Sequence, residues 1–364
     1  MNVPRGARAT GRPWRRASSV GAALALVAVV AAGCGGDEPS GPAQTVDANT
    51  VIDVTFQPAT ESFAVLTQLN AFAGGYFEAE KLNVTYNPII ANAAQAAQSV
   101  TTNADIAIVG STGVVSGIAA RRDLVTVAVL TKGPTSQITL RNDVIQRLGV
   151  TPDSPLRDRI QALKGLTLAL PQPGSTTDTA VRQAMKLYGV EPDKDLTIRP
   201  ITDPPALVTA MREKQVDGYA FSPPTSVQPV ADGSAQVWVS LSDLPEFKEL
   251  PWIDVVTSKD YLKNNREAVT RFVRALDKAE KHLEADTAAA STAIKAKYFP
   301  DLKDDIFKLA FELSLPTATQ GLAPSPNGLQ VAVETINANA DNKVDVTPEQ
   351  VYDTSILDDL GAGS

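Results

Sequence analysis

The alternation of apolar and polar positions between residues 51 and 221 predicts two runs of strand and helix written in the same order. Val51-Ile52-Asp53-Val54-Thr55-Phe56 is rich in β-branched residues and reads as a strand. Thr60 is then expected to cap a helix whose apolar positions Phe63, Leu66, Leu69 and Ala73 keep roughly helical spacing, with Gly74-Gly75 stopping it. A strand over 82–86, a helix over 93–100, a strand over 105–109 opening into Gly110-Ser111-Thr112-Gly113, and a strand over 125–130 complete the first run. The second starts at Gly165 with a strand over 166–170, the turn Pro173-Gly174-Ser175-Thr176-Thr177 and a helix over 178–188. A strand over 196–200, a helix over 205–214 and a strand over 216–221, ending in Ser222-Pro223-Pro224-Thr225, close it. From the first strand to the Asp that opens the third is 51 residues in one run (Val54 to Asp105) and 49 in the other (Leu168 to Asp217).

Strands that alternate with helices imply parallel pairing, because parallel neighbours need a crossover. The expected fold class is therefore α/β with two lobes, each a mostly parallel sheet flanked by helices, and a ligand cleft between them. Lobe 1 is assigned residues 51–134 and 252–364, and lobe 2 residues 135–251. The crossings are placed near Lys132 to Gln137 and near Pro251 to Val256. Beyond Trp252 the pattern is mostly helical: Val269, Phe272, Val273, Leu276, Ala279 and Leu283 form one stripe, Leu329, Ala332, Val333 and Ile336 another. Both stripes are expected to lie on the first lobe's sheet.

Ahead of this body stands a different kind of sequence. Five arginines (5, 8, 12, 15 and 16) precede any acid, and 13 small or apolar residues run from Val20 to Ala32. That run is too short to cross a bilayer, which takes about 20 residues, and it fits a secretory signal over 1–33. Ala31-Ala32-Gly33-Cys34 follows, then the polar stretch Gly35 to Gly41. A buried free thiol, the usual fate of cysteine, does not suit a position between an apolar leader and a Gly-Gly-Asp-Glu-Pro linker. The segment resembles the lipobox of bacterial lipoproteins, with Ala31 where leucine is more usual. That resemblance implies that Cys34 is lipidated and that residues 34–50 tether the body outside the cell membrane.

Charge and composition narrow the chemistry. The chain of 364 residues has 33 Lys plus Arg against 41 Asp plus Glu, a formal net charge of −8, and losing five arginines with the leader takes it to −13. An acidic body without cation clusters is a poor nucleic-acid surface. One His and one Cys leave no zinc site and no thiol–imidazole pair apart from Cys34 with His282. No Gly-x-Ser-x-Gly or Ser-x-x-Lys phrase is present. Adjacent carboxylates such as Asp304 and Asp305 point apart on a helix. No enzyme, metal or cofactor is expected; the partners expected are a small molecule and the membrane through its lipid, and the body is expected to be monomeric.

An ordered set of phrases resembles a family, the periplasmic solute-binding proteins of ABC importers with the type II fold, and within it the nitrate, sulfonate, taurine and thiamine-pyrimidine-precursor group. The phrases are Gln57-Pro58-Ala59, the segment from Gly74-Gly75-Tyr76-Phe77-Glu78 to Val84, and Asn103-Ala104-Asp105-Ile106-Ala107-Ile108-Val109-Gly110. Leu163-Lys164-Gly165, Ala206 to Met211 with Val216-Asp217-Gly218, and Tyr261-Leu262 follow in the same order. The resemblance covers most of residues 51–285 and implies a receptor that hands a solute to the permease of an ABC importer. Where many members have a tryptophan-glutamate-proline phrase, this chain has Phe221-Ser222-Pro223-Pro224, so ligand identity does not carry over.

Open α/β sheets bind ligands beyond the carboxyl ends of their strands, where helix starts offer free N–H groups. Four such loops here carry hydroxyls: Gln57 to Thr60, Gly110 to Gly113, Gly174 to Thr177 and Ser222 to Ser226. The expected ligand contacts are Gln57, Thr60, Ser111, Thr112, Ser175, Thr176, Thr177, Phe221, Ser222 and Trp252. Each Ser or Thr also reads as a helix cap, and each aromatic as core. Lys132 is open between a ligand contact and an exposed cation, and His282 reads as a surface residue. The expected solute is an organic anion of sulfonate type, with a neutral pyrimidine-like heterocycle as the alternative; a protein-binding lipoprotein is a third class.

Overall fold

The computed structural model of the protein describes residues 47–339 and 343–362. The expected leader, Cys34 and most of the expected tether lie outside the described residues. Ten strands follow in chain order: β1 (Ile52–Pro58), β2 (Leu82–Tyr86), β3 (Ile106–Gly110), β4 (Val125–Lys132), β5 (Gln137–Arg141), β6 (Thr167–Leu170), β7 (Thr197–Pro200), β8 (Gly218–Phe221), β9 (Ala235–Ser240) and β10 (Pro251–Thr257). They form two five-stranded sheets, in the orders β2-β1-β3-β10-β4 and β7-β6-β8-β5-β9.

The two orders are one pattern used twice. In each sheet the first strand of the βαβ run lies between the second and third, all parallel. The strand that enters from the other sheet, β10 or β5, then slots in antiparallel to both its neighbours. Each sheet is therefore mostly parallel, as expected, with four of its five strands running the same way and one reversed. The hydrophobic pattern misses β5, β9 and β10 because they lie outside the alternating βαβ runs. β10 is buried at all seven positions, so it shows no alternation, and it opens on a proline.

Placing β10 also moves the second crossing. Pro251 to Val256 is not a connector; it is part of a strand inside the first sheet, and the chain crosses between sheets over residues 241–250. The first crossing turns at Gly133, whose φ of +76° is left-handed and suits glycine. The two crossings run side by side, with Gly133 N–H donating to Leu250 O at 2.9 Å and Leu241 N–H to Ser136 O at 3.0 Å.

One apolar cluster runs through both sheets, and a second, smaller cluster lies on the second sheet. In the first, Phe56 of β1 meets Phe72, and Phe272 on the helix Arg266–Ala285 packs on both Phe56 and Phe77, at ring separations of 4.5 to 5.7 Å. The stripe on that helix thus faces the first sheet. In the second, Tyr219 packs with Leu207, Met211 and Val216. No helix among the described residues is long and apolar enough to cross a membrane.

Candidate functional site

A cavity of about 520 Å³ lies where the carboxyl ends of the strands in both sheets face each other. Its wall draws on the end of β1 and the loop behind it (Ala59 to Ser62), Gly110 at the end of β3, and Trp252 and Ile253 on β10. From the second sheet come Pro171 after β6, Ser175 to Thr177, Thr202 and Pro204-Pro205 after β7, and Phe221 to Thr225 after β8. Ile89, Phe299 and Leu302 add apolar surface. The two sides touch. Phe63 N–H donates to Pro223 O at 2.8 Å, Thr112 Oγ1 lies 3.1 Å from Thr176 Oγ1, and a Cβ on Gly110 would sit 1.8 Å from Thr176 Oγ1.

The turn before the helix Thr176–Leu187 is built for open donors. Gly174 has φ +82°, which lets the chain reverse, and Ser175 caps the helix by accepting from Asp178 N–H at 3.2 Å. Asp178 in turn accepts from Gly174 N–H and pairs with Arg182 at 2.8 Å, which fixes the turn. The cap consumes one helix-start donor and leaves the first-turn amides of Thr176 and Thr177 without an intrahelical acceptor. All three residues line the cavity. Thr177 Oγ1 is 2.8 Å from Ser136 Oγ, which lies 3.1 Å from Ser222 Oγ; Thr135 Oγ1 is 2.7 Å from the same oxygen. These hydroxyls tie the crossing segment to the ends of β8 and of the helix, so Ser222, though at the wall, is already engaged.

Other expected contacts lie elsewhere. Gln57 is buried at 1% exposure, and its Nε2 donates to Pro58 O and Pro88 O, both at 2.8 Å, so it braces the end of β1 and is not in the cavity wall. Ser111 is fully buried and donates to Asp254 Oδ1 at 2.6 Å, turned away from the wall toward β10. Thr112 reaches across to Thr176 but does not line the cavity. Thr60 is at the wall, though it caps no helix: the cap of the first turn, Phe63–Val65, is Ser62, and Thr60 Oγ1 accepts from Ser62 N–H. Phe221 and Trp252 both line the cavity.

Two groups differ from their sequence reading, Lys132 and His282. Lys132 is neither exposed nor at the wall: its ammonium donates to Gln320 O at 2.7 Å, and burial lowers its pKa. Close by, Glu280 accepts from Gly321 N–H at 2.6 Å, and burial pushes its pKa up to about 7. His282 is half-buried, 3.4 Å from Asn70 Nδ2 and packed on Tyr76. Asp254, which the sequence did not single out, is wholly enclosed; burial pushes its carboxyl up to about 7 against the Ser111 and Thr126 hydroxyls.

Wall residues missed in the sequence include Glu61, Ile89, Thr202, Gln228, Phe299 and Leu302. Thr202 follows β7 and was within reach of the strand-end rule. Phe299 and Leu302 arrive from the connection between the helices Thr287–Tyr298 and Asp304–Ala318, far along the chain and with no local signal. Among the described residues the wall contains no Lys, Arg or His, and Glu61 is its one ionisable side chain. No group of three or more His, Cys, Asp or Glu among the described residues is arranged to hold a metal ion.

This architecture matches known structures. The alkanesulfonate-binding protein SsuA from Xanthomonas axonopodis pv. citri superposes with TM-score 0.62 at 19% identity, over 80% of this chain and 92% of that one. A Candida albicans gene product described as having the generic periplasmic binding protein fold superposes with TM-score 0.54 at 14% identity, over 82% and 99%. At these identities the likeness establishes the fold, a two-lobed periplasmic binding protein. In sequence, a protein of Brachyspira hyodysenteriae named for periplasmic binding in an ABC transporter is 26% identical over 152 residues. That match takes in 41% of this chain and 42% of the relative's length. The model of the NMT1-like family matches residues 52–296, a span that holds all ten strands and every expected contact at the cavity wall. The chain belongs to the NMT1-like family.

Proposed function

We propose that the protein is the extracytoplasmic solute receptor of an ABC importer, anchored by lipid on Cys34, and that the solute sits in the cavity between the lobes. The observation that carries this reading is the 520 Å³ cavity closed by strand ends from both sheets, a size within the range for small-molecule sites. The names of the Brachyspira relative and of the Xanthomonas structural neighbour point the same way. The wall suits a mainly apolar organic body against Phe221, Trp252 and Phe299, with one acceptor head at the Thr176 and Thr177 amides. A nitrate ion has no body to cover. An organic anion and a neutral heterocycle both have an acceptor head of this kind.

Trp252 makes the test direct, because it lines the cavity while Trp238 is buried in the second lobe with its indole N–H on Arg159 O. A titration of the mature chain with sulfonates, aromatic carboxylates and pyrimidines should change Trp252 fluorescence for one class. Calorimetry should lose roughly tenfold or more in affinity in a Thr177→Pro variant, which deletes one amide donor. Binding that is unaffected by that variant and by Phe221→Ala would sink this placement. The anchor is tested separately: Cys34→Ser should move the protein from the membrane fraction to the soluble one.

A further inference from the structure

Accepting that the cavity is the solute site, we infer that Glu61 sets the sign of charge it admits: the solute is an organic molecule of net charge zero or plus one, with an N–H or ammonium group facing Glu61. A carboxylate or sulfonate moved from water into an enclosed site needs a cation or a full set of donors, because an unpaired buried charge is costly. Among the described residues no Lys, Arg or His lines this cavity. The nearby cation Lys297 is committed to Phe72 O at 2.6 Å and is not at the wall.

The helix starts do not make up the difference. The helix Pro204–Arg212 points its first residues at the cavity, but Pro204 and Pro205 have no N–H, and the third donor, Ala206 N–H, is taken by the Asp203 carboxylate at 3.1 Å. Its positive end is thus spent on its own cap. Asn92 takes Gln95 N–H at the start of the helix Ala93–Gln98, and Ser175 takes Asp178 N–H. Three first-turn amides of wall residues remain, at Ala93 on one helix and at Thr176 and Thr177 on the other. Amides divided between two helices offer only partial charge, short of the cation that would neutralise a sulfonate.

The neighbouring surface carries the same sign. A second hollow of about 270 Å³ shares Gln228 and Leu302 with the cavity, and it is lined by Asp232, Asp301 and Asp305 against Arg212 and Lys303. Arg212 is held by Asp232 at 2.6 Å. The surface beside the cavity is thus net negative, Glu61 is at the wall, and the aromatic residues Phe299 and Trp252 there suit a cation better than an anion.

The test uses matched sets on one aromatic ring that differ only in the head group: amine, carboxamide, carboxylate and sulfonate, titrated by calorimetry into the mature chain. The amine or the carboxamide should bind the parent at least tenfold more tightly than either anion. Glu61 is exposed, so Glu61→Gln and Glu61→Lys should fold; the first should cut the preference below threefold and the second should reverse it. A carboxylate or sulfonate as the best ligand of the parent, or an unchanged preference in Glu61→Gln, would overturn the inference. Thr202→Trp, at an exposed wall position, separates the two levels. If it leaves binding intact, the cavity is not the site and the parent reading fails. If it abolishes binding while Glu61→Gln keeps the preference, only the charge rule fails.

Discussion

The two hydroxyl-bearing helix starts that face each other across the cleft look alike in sequence and do opposite things. After β3, Ser111 and Thr112 open a helix, Ser111–Ala119, directly from the strand. Ahead of the other, Ser175 to Thr177 follow a glycine turn. The first start is closed because β10 is threaded beside β3 and sets Asp254 opposite Val109, where its carboxylate draws the Ser111 hydroxyl inward. The second is open because its acid, Asp178, lies within the helix's own first turn, serves the turn and Arg182, and leaves two amides toward the cavity. A Ser-Thr pair at a strand end is therefore a ligand contact or a structural tie according to where the nearest carboxylate lies.

The largest effect should come from the point where the two starts touch. Gly110→Val places a side chain where Thr176 Oγ1 now lies, so we expect a hundredfold or greater loss of solute affinity. The radius of gyration by X-ray scattering should stay at its ligand-free value when a solute that binds the parent is added. Compaction like that of the parent would show that the lobes do not close through this contact. Asp254→Ala should be next, since it strands the buried Ser111 and Thr126 hydroxyls. A loss of about 3 kcal/mol in urea unfolding is expected, and a cost below about 1 kcal/mol would mean that the closed start is not held by this carboxylate. Ser175→Ala, on the open side, should cost about 1 kcal/mol of stability as a lost helix cap.

A further effect is a slope with pH. Folding raises the carboxyls of Asp254 and Glu280 to about 7, above the value of about 4 they have in an unfolded chain. The folded state thus holds protons that the unfolded state has released, and the share of stability from these two groups falls as pH rises from about 4 to about 7. Thermal unfolding of Asp254→Asn across that window should show a shallower fall than the parent, and Glu280→Gln likewise. A slope identical to the parent's in both variants would mean that neither group titrates with folding.

The βαβ runs were legible because each strand and helix carries its own period. β2 is found at 82–86 as expected, and the helices begin within a few residues of their expected starts. The open start at Ser175 was legible too, since glycine, hydroxyls and a following helix are neighbours in sequence. Gln57 was not: its side chain bonds Pro88, 31 residues away, and nothing near residue 57 tells of that partner. Phe299 and Glu61 were missed for the same kind of reason, because an apolar residue at a helix end and an acid after a threonine have many places to be.

Sequence alone thus determined the elements, their repetition in two halves, the acidic charge and the scarcity of metal- and thiol-binding residues, all of which follow from local propensity and from counting. Only the tertiary structure decided that β5 and β10 enter the sheets antiparallel and that Asp254 closes one helix start while the other stays open. It also decided that the cavity wall, among the described residues, holds one carboxylate and no cation. Those outcomes depend on which distant segments meet. Contact between residues far apart in the chain is set by the packing of whole sheets and helices, and no short window of sequence carries it.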